Sequence, residues 1–324
     1  MTAKLLYLRK KEKFFVFPKP PFHFDATLHK PSHFPSSDNE WEKGSYWIAM
    51  RWLNERLGLK LENKGTVAKP KIQLTVYSKK KLSKNFLERI KQEIGWRFNF
   101  DSDLSEFSRK FKNDKVLGVI LKKWKGMRPV AANSLYESIS IYVVLQNATV
   151  RRSAQMLENL FARLGSRLHF DGKSLSCFWT PKEMAAVSEQ ELRGLKVGYR
   201  AKFLKRISEQ FARGGIDEYA MRKMTNEEIK KEALKLYGVG PASAEYLLFE
   251  DFYRYDAFLT IPPWEQKILS MLLFKNKLVS VNKILAYAGR WGKYKKLAIH
   301  YIWEDIFWKR KHKSIPWLEK EIRL

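Results

Sequence analysis

The stretch LYGVGPASAEYLL, residues 236–248, sets Gly238 and Gly240 either side of Val239 and places Pro241 ahead of an apolar pattern with helical spacing. Glycine permits a positive φ, and its missing Cβ lets another molecule reach the backbone. Proline suits the first position of a helix, where its absent N–H would have no partner in any case. The N–H groups that follow point out along the positive end of the helix axis, which is chemistry for holding an anion. Two helices joined in this way, one ending at Leu236 and the next starting near Pro241, can grip a phosphate with little side-chain involvement. The plainer alternative is a glycine cap between two packed helices, and on the Gly-x-Gly pattern alone that alternative leads.

The rest of the chain makes a polyanion the expected partner. Its 324 residues carry 62 Lys+Arg against 34 Asp+Glu, a formal net charge of +28. Aromatic residues are interleaved with the basic ones in KKWKGMRP and GRWGKYKKLAIHYIW, a mixture that suits phosphate contact combined with base stacking. No apolar run approaches the length needed to span a bilayer, and the first residues, MTAKLLYLRKKEKFFVF, have no signal-peptide pattern. The single cysteine, Cys177, excludes an internal disulfide and a four-cysteine metal site within one chain. The six histidines show no metal-ligand pairing, and His23, His29 and His33 fall in a Pro-rich loop where solvation is expected. No cofactor, metal or membrane is expected; a soluble, intracellular protein of cytoplasm, nucleoid or nucleus is.

The elements that must position the turn read in two parts. Over residues 1–104, KFFVF (13–17) and KIQLTVYS (71–78) are β-rich and partly alternating, and KNFLERIKQEIGW (84–96) has helical spacing. WIAMRWLNERLGL (47–59) has no clear period, and 29–40 reads as a surface loop. An α+β domain with an antiparallel sheet is predicted. Over 105–324 an all-helical domain is predicted. Residues 133–165 form two helices with a polar break near Gln146–Asn147, and TNEEIKKEALKLYGVG opens on a Thr-x-x-Glu capping box and ends in glycine.

In this setting LYGVGPASAEYLL resembles the helix–hairpin–helix of the base-excision DNA glycosylase superfamily. LKVGYRAKFLKRISEQF (195–211) is similar to the segment before the hairpin in 8-oxoguanine glycosylases. KNDKVLGVILKKWKGMRP (112–129) and LYESISIYVVLQNATVRRSAQML (135–157) resemble the entry to the helical domain in the 8-oxoguanine and bacterial 3-methyladenine branches. RWGKYKKLAIHYIWED (290–305) resembles the closing helix of the 3-methyladenine branch. The matches run in family order over roughly 105–305, with an α+β domain ahead of them.

The resemblance implies an enzyme that bends double-stranded DNA, flips out a damaged nucleotide and cleaves its N-glycosidic bond; a monomer is expected. Flipping costs a few kcal/mol, least for a damaged or mispaired base. The family's insertion loop corresponds to Gln146–Asn147–Ala148, whose amides would fill the gap in the stack; a polar helix cap is the competing reading. Arg151, Tyr199 and Arg200 lie in the matching DNA-binding segments. Tyr246 and Trp303 fall on pocket aromatics of the 3-methyladenine branch, where a ring face would stack on a cationic, alkylated base; ordinary core aromatics are the competing reading.

Two departures from the pattern matter. The nucleophilic lysine of bifunctional members corresponds to Ala242, so the resemblance implies a monofunctional enzyme with no Schiff-base lyase chemistry from that position. The superfamily's aspartate, which supports the developing sugar cation or helps activate water, corresponds to Pro262 in FLTIPPWEQKILS (258–270). Glu265, in the first turn of the next helix, is the first candidate to replace it, and Asp256 in RYDAF the second. Each has a structural alternative: a helix-dipole partner for Glu265, and a turn cap or a pair with Arg254 for Asp256. Two expectations therefore stand: a monofunctional glycosylase acting on an alkylated or otherwise labile base, and a lesion- or structure-specific DNA-binding protein of the same fold that has lost cleavage. A basic RNA-binding module would account for the charge but not for the ordered motifs.

Overall fold

The structure is a computed structural model and describes residues 4–322. The elements run β1 (Lys4–Tyr7), β2 (Lys10–Val16), α1 (Phe24–Leu28), β3 (Asn39–Glu42), β4 (Ser45–Trp52), β5 (Glu55–Asn63), β6 (Ile72–Ser78) and α2 (Lys84–Arg97). Then come α3 (Ser105–Phe111), α4 (Leu117–Trp124), α5 (Leu135–Leu145), α6 (Val150–Leu164), β7 (Ser166–Phe170) and β8 (Lys173–Cys177). The chain continues through α7 (Pro181–Ala185), α8 (Glu189–Leu192), α9 (Arg200–Ala212), α10 (Glu218–Met221), α11 (Asn226–Leu234) and α12 (Pro241–Glu250). It closes with α13 (Pro263–Phe274), α14 (Val281–Gly289), α15 (Lys295–His312) and α16 (Pro316–Ile322). No helix among the described residues is long and apolar enough to cross a membrane.

The N-terminal part is an antiparallel sheet in the order β2-β6-β5-β4-β3 with α2 packed on one face. The stretch 47–59, which lacks a period, is the β4–β5 hairpin. Leu53 and Asn54 both take positive φ at its tip, the geometry of a two-residue turn that matches strand twist. Its alternation is lost because both faces are covered. Tyr46, Ile48 and Met50 join the core under α2, while Trp47 and Ala49 pack against Leu168, Phe170 and Leu175 of a second sheet.

That second sheet corrects the all-helical expectation for the larger part. Its helical character holds, but the β7–β8 hairpin interrupts it and pairs in parallel with β1 in the order β1-β7-β8. The hairpin turns at Asp171–Gly172, both with positive φ. Gly58 of β5 faces the Phe170 ring so closely that a Cβ there would lie 2.5 Å from it. The histidine loop is a second correction. His23 caps α1 by accepting from the Ala26 N–H at 3.2 Å, and His29 stacks on Trp41 with centroids 4.2 Å apart. Burial and the neighbouring Lys311 lower the His29 pKa to about 4, so its neutral Nε2 faces the Lys311 ammonium. Only His33 of the three is exposed.

Two cores support the helices. One gathers α5, α6, α9, α11 and α12 around Trp179, and the other packs α3, α4, α13, α14 and α15 around Trp291 and Tyr301. Helix α12 contributes to both, through Leu247 to the first and Phe249 to the second. The capping box predicted for α11 is present: Thr225 accepts from the Glu228 N–H and Glu228 accepts from the Thr225 N–H.

Candidate active site and nucleic-acid interface

The two hairpin glycines are there for different reasons. Helix α11 ends at Leu234, two residues before the predicted end, and α12 starts at Pro241. Gly238 has φ +83°, and a Cβ on it would lie 2.1 Å from a carbon of the Phe203 ring. The turn therefore requires glycine here twice over, for its conformation and for the close approach of Phe203. Gly240 is the N-cap of α12 with φ −94°, no side-chain cap and nothing within 4 Å of where a Cβ would stand. It leaves the start of α12 open to whatever approaches from outside.

Three segments far apart in sequence meet at this turn. The Gln146 side chain donates from Nε2 to the Gly238 carbonyl at 3.1 Å. Its own carbonyl accepts from Arg200 Nη2, and the Tyr199 hydroxyl lies 3.4 Å from the same oxygen. Asn147 is exposed, has φ +49° and donates to the Tyr199 hydroxyl at 3.4 Å. The loop between α5 and α6, the start of α9 and the hairpin are thus bonded into one surface. Arg200 is buried and stacks over the Tyr199 ring at 4.7 Å. Arg151 is exposed on the first turn of α6 and has no ion-pair partner within 4 Å among the described residues. Sequence reasoning missed Phe203, which packs against both Tyr199 and Tyr237 and spaces the two loops.

Behind the hairpin lies a carboxylate. Pro262 is the N-cap of α13 and Pro263 its first residue; both fix φ and start the helix sharply. Glu265 follows in the first turn and points inward, 4% exposed. Its Oε2 accepts from the Tyr246 hydroxyl at 2.6 Å, and its Oε1 lies 3.3 Å from Lys296 Nζ. Burial, and then the adjacent carboxylate, push the Tyr246 phenol well above its ordinary pKa, so the hydroxyl stays protonated and donates. The Lys296 ammonium also sits over the rings of Phe258 and Tyr246, at 5.0 and 5.3 Å from their centroids. Lys296 was not among the residues singled out from the sequence. It lies two helical turns before Trp303 on α15, on the same side of the helix, and that spacing from a candidate pocket residue was the available signal.

The other two expected residues lie apart from this cluster. Trp303 is half-buried, stacked on Phe307 and edge-on to Trp264 with centroids 5.6 Å apart. Trp264 is the residue before Glu265 on α13. Asp256 is exposed and accepts from Asn226 Nδ2 at 3.3 Å. Arg254 does not pair with it; it donates to the Met224 carbonyl at 2.7 Å. Ala242 is half-buried in the first turn of α12.

Residues 141–318 match the HhH-GPD superfamily of base-excision DNA repair proteins, more than half of the chain. The chain belongs to that family and is a DNA glycosylase of base-excision repair by family. It is 21% identical over 248 residues to the DNA-3-methyladenine glycosylase of Bacillus subtilis, covering 73% of this chain and 82% of that one. Its fold superposes on the 3-methyladenine DNA glycosylase of Archaeoglobus fulgidus with a TM-score of 0.73 at 14% identity, covering 93% of this chain and 99% of that one. It superposes with a TM-score of 0.67 at 18% identity on the Clostridium acetobutylicum 8-oxoguanine glycosylase/lyase solved with double-stranded DNA containing cytosine opposite 8-oxoG, covering 93% and 99%.

Proposed function

We propose that this protein is a monofunctional DNA glycosylase that acts as a monomer and removes a damaged, alkylated base from duplex DNA. The observation that carries the reading is the hydrogen-bonded junction of Gln146, Arg200 and Gly238. It makes a hairpin suited to a phosphate, an amide suited to a gap in the base stack and a basic helix start into one rigid surface. In the proposed complex the open N-terminus of α12 holds a backbone phosphate, Arg151 adds a charge contact, and Asn147 and Gln146 face the space the flipped nucleotide leaves.

The chemistry proposed is hydrolytic. The bond between C1′ and the base breaks with both electrons going to the base, so an alkylated cationic base departs neutral. Positive charge builds on the sugar, and water adds at C1′ and gives up a proton. Glu265 supplies the negative charge that Pro262 cannot, and Tyr246 and Lys296 fix its direction. Tyr246 provides an aromatic wall beside that carboxylate, and Trp303 stands outside the cluster against Trp264 and Phe307. Ala242 offers no amine, which supports hydrolysis without a lyase step. A base that is already a good leaving group needs the least catalytic help, and this favours an alkylated substrate for a site lacking the family's aspartate.

A second reading, lesion-specific binding without cleavage, is favoured by a different observation. Both Glu265 oxygens are already engaged and the residue is 4% exposed. One assay separates the readings: duplexes carrying methylated, deaminated or oxidised bases are incubated with the protein and abasic sites are counted. Release of an alkylated base supports the enzyme; tight lesion binding with no abasic sites supports the binder.

A further inference from the structure

The loop between α12 and α13 presents an apolar point beside the hairpin. Leu259 is 61% exposed and Trp264 is 46% exposed, one on each side of the Pro262–Pro263 pair. Single exposed leucines are ordinary; the way this one is held is not. Glu245 of α12, itself 6% exposed, spends its Oε2 on the backbone N–H groups of Leu259 and Thr260 at 2.9 and 2.7 Å. Its other oxygen has no hydrogen-bond partner, and the nearest cation, Lys230 Nζ, is 3.9 Å away. Burying a carboxylate is costly unless it is paired and bonded, yet here the charge fixes the tip of an exposed loop. Two prolines stiffen the far side. Glu245 lies about one helical turn from the open start of α12, so the Leu259 backbone is anchored next to the hairpin.

We propose that Leu259 is a second wedge on duplex DNA, packing into the base stack beside the flipped nucleotide while the Gln146–Asn147 loop fills the gap itself. The inference rests on the proposed DNA-binding face. Its occupant is duplex DNA, because Glu245 ties the Leu259 backbone to the helix whose open start belongs to that proposed face, and the chain carries +28 of net charge. An apolar side chain inserted at a base step unstacks it and favours a bent duplex. That gain is largest where stacking is already broken, at an abasic or lesion site. Trp264, on the other side of the prolines, rests edge-on against Trp303.

The test compares the full chain with Leu259→Ser and Leu259→Met at one salt concentration. The probes are an intact duplex and the same duplex carrying a tetrahydrofuran abasic site, with 2-aminopurine next to that site. Leu259 is exposed, so both variants keep the parent's melting temperature. Leu259→Ser is expected to lose about tenfold in affinity for the abasic duplex, on the scale of one lost apolar contact, and to lose the 2-aminopurine signal. Its affinity for the intact duplex stays within about twofold, and Leu259→Met restores both abasic-site readouts. Unchanged abasic-site affinity in Leu259→Ser, while Gly240→Val weakens both duplexes, overturns the wedge and leaves the DNA-binding face standing. Failure of the parent to bind either duplex overturns that face and the wedge together.

Discussion

The Tyr246 hydroxyl donates to Glu265 Oε2 at 2.6 Å, and this contact ties the second helix of the hairpin to the first turn of α13. Lys296 closes the other side of the same carboxylate at 3.3 Å. Glu265 is thus held by one neutral and one charged donor in a site shielded from water. Such an arrangement can preorganise a negative charge toward a developing cation, and it can also be a buried ion pair with no chemistry.

The two roles separate when the pair is removed in two steps. Glu265→Gln keeps the shape and the Tyr246 bond but leaves the Lys296 ammonium buried without its counter-charge. Removing one member of a buried pair costs on the order of 3–5 kcal/mol, so the single variant should melt well below the parent. Glu265→Gln with Lys296→Met removes both charges and should recover most of that loss. If the carboxylate acts on the sugar cation, base release falls roughly a hundredfold or more in the single and in the double variant. If it is structural, the double variant releases base at the parent's rate.

The hairpin glycines should respond oppositely. Gly238→Ala forces a side chain into positive φ and against the Phe203 ring, and should cost about 1–3 kcal/mol of stability. A Cβ at Gly240 meets nothing within 4 Å, and the φ there is ordinary, so Gly240→Val should fold normally. Its branched side chain would stand over the start of α12, and affinity should fall equally for all duplex sequences, because a phosphate contact carries no sequence information. Equal DNA affinity of parent and Gly240→Val, measured by anisotropy at fixed salt, would falsify the phosphate grip.

Much of this was readable in advance, and the exceptions have physical causes. The hairpin, the break at Gln146–Asn147 and the α11 capping box all depend on local backbone chemistry, which short motifs carry. The β4–β5 strands were hidden because burial on both faces removed their alternation. The signal for the β7–β8 hairpin is the Asp171–Gly172 pair inside alternating RLHFDGKSL, a short strand pair set between long helical segments. The partners of Glu265 could not be read from local pattern, since Tyr246 and Lys296 come from helices 19 and 31 residues away in sequence. Only tertiary packing brings them together. The role of Glu245 was hidden for the same reason.

Affinity for undamaged duplex should fall steeply with salt. Each phosphate neutralised in B-DNA contributes about 0.9 to the slope of log affinity against log salt. Arg151→Ala should therefore reduce that slope by roughly one and weaken binding about equally across sequences. A salt-independent affinity would remove DNA as the main partner of the basic surface.

Borohydride should trap no covalent adduct between this protein and DNA containing an abasic site. Trapping requires an amine that condenses with the sugar aldehyde, with loss of water, to give an imine that the hydride then reduces. The position that would supply it is Ala242, and the amine beside the candidate carboxylate, Lys296 Nζ, is paired with Glu265 and enclosed by Tyr246 and Phe258. An adduct that forms in the parent and disappears in Lys296→Met would make the enzyme bifunctional and move the catalytic role to Lys296.

Stability should have an unusual pH dependence at the end of α12. Asp251 is 6% exposed and accepts from the Tyr142 hydroxyl at 3.0 Å. Burial pushes its carboxyl pKa up to about 7, against the opposing hydrogen bonds from Ser138 and Tyr142. A carboxyl whose folded pKa lies above its unfolded value binds more protons in the folded state. Its ionisation therefore costs stability, and the cost grows as pH rises from about 4 to about 7 and is then constant. This is opposite in sign to the usual acid denaturation of ion-paired carboxylates. Asp251→Asn stays neutral at every pH and keeps an oxygen for Tyr142. Melting temperatures of parent and variant should accordingly be similar near pH 4 and diverge in the variant's favour above pH 7. The measurement is a pair of thermal melts at each end of that range. A gap in the variant's favour that is as large at pH 4 as at pH 8 would mean Asp251 contributes through packing or hydrogen bonding and not through its charge.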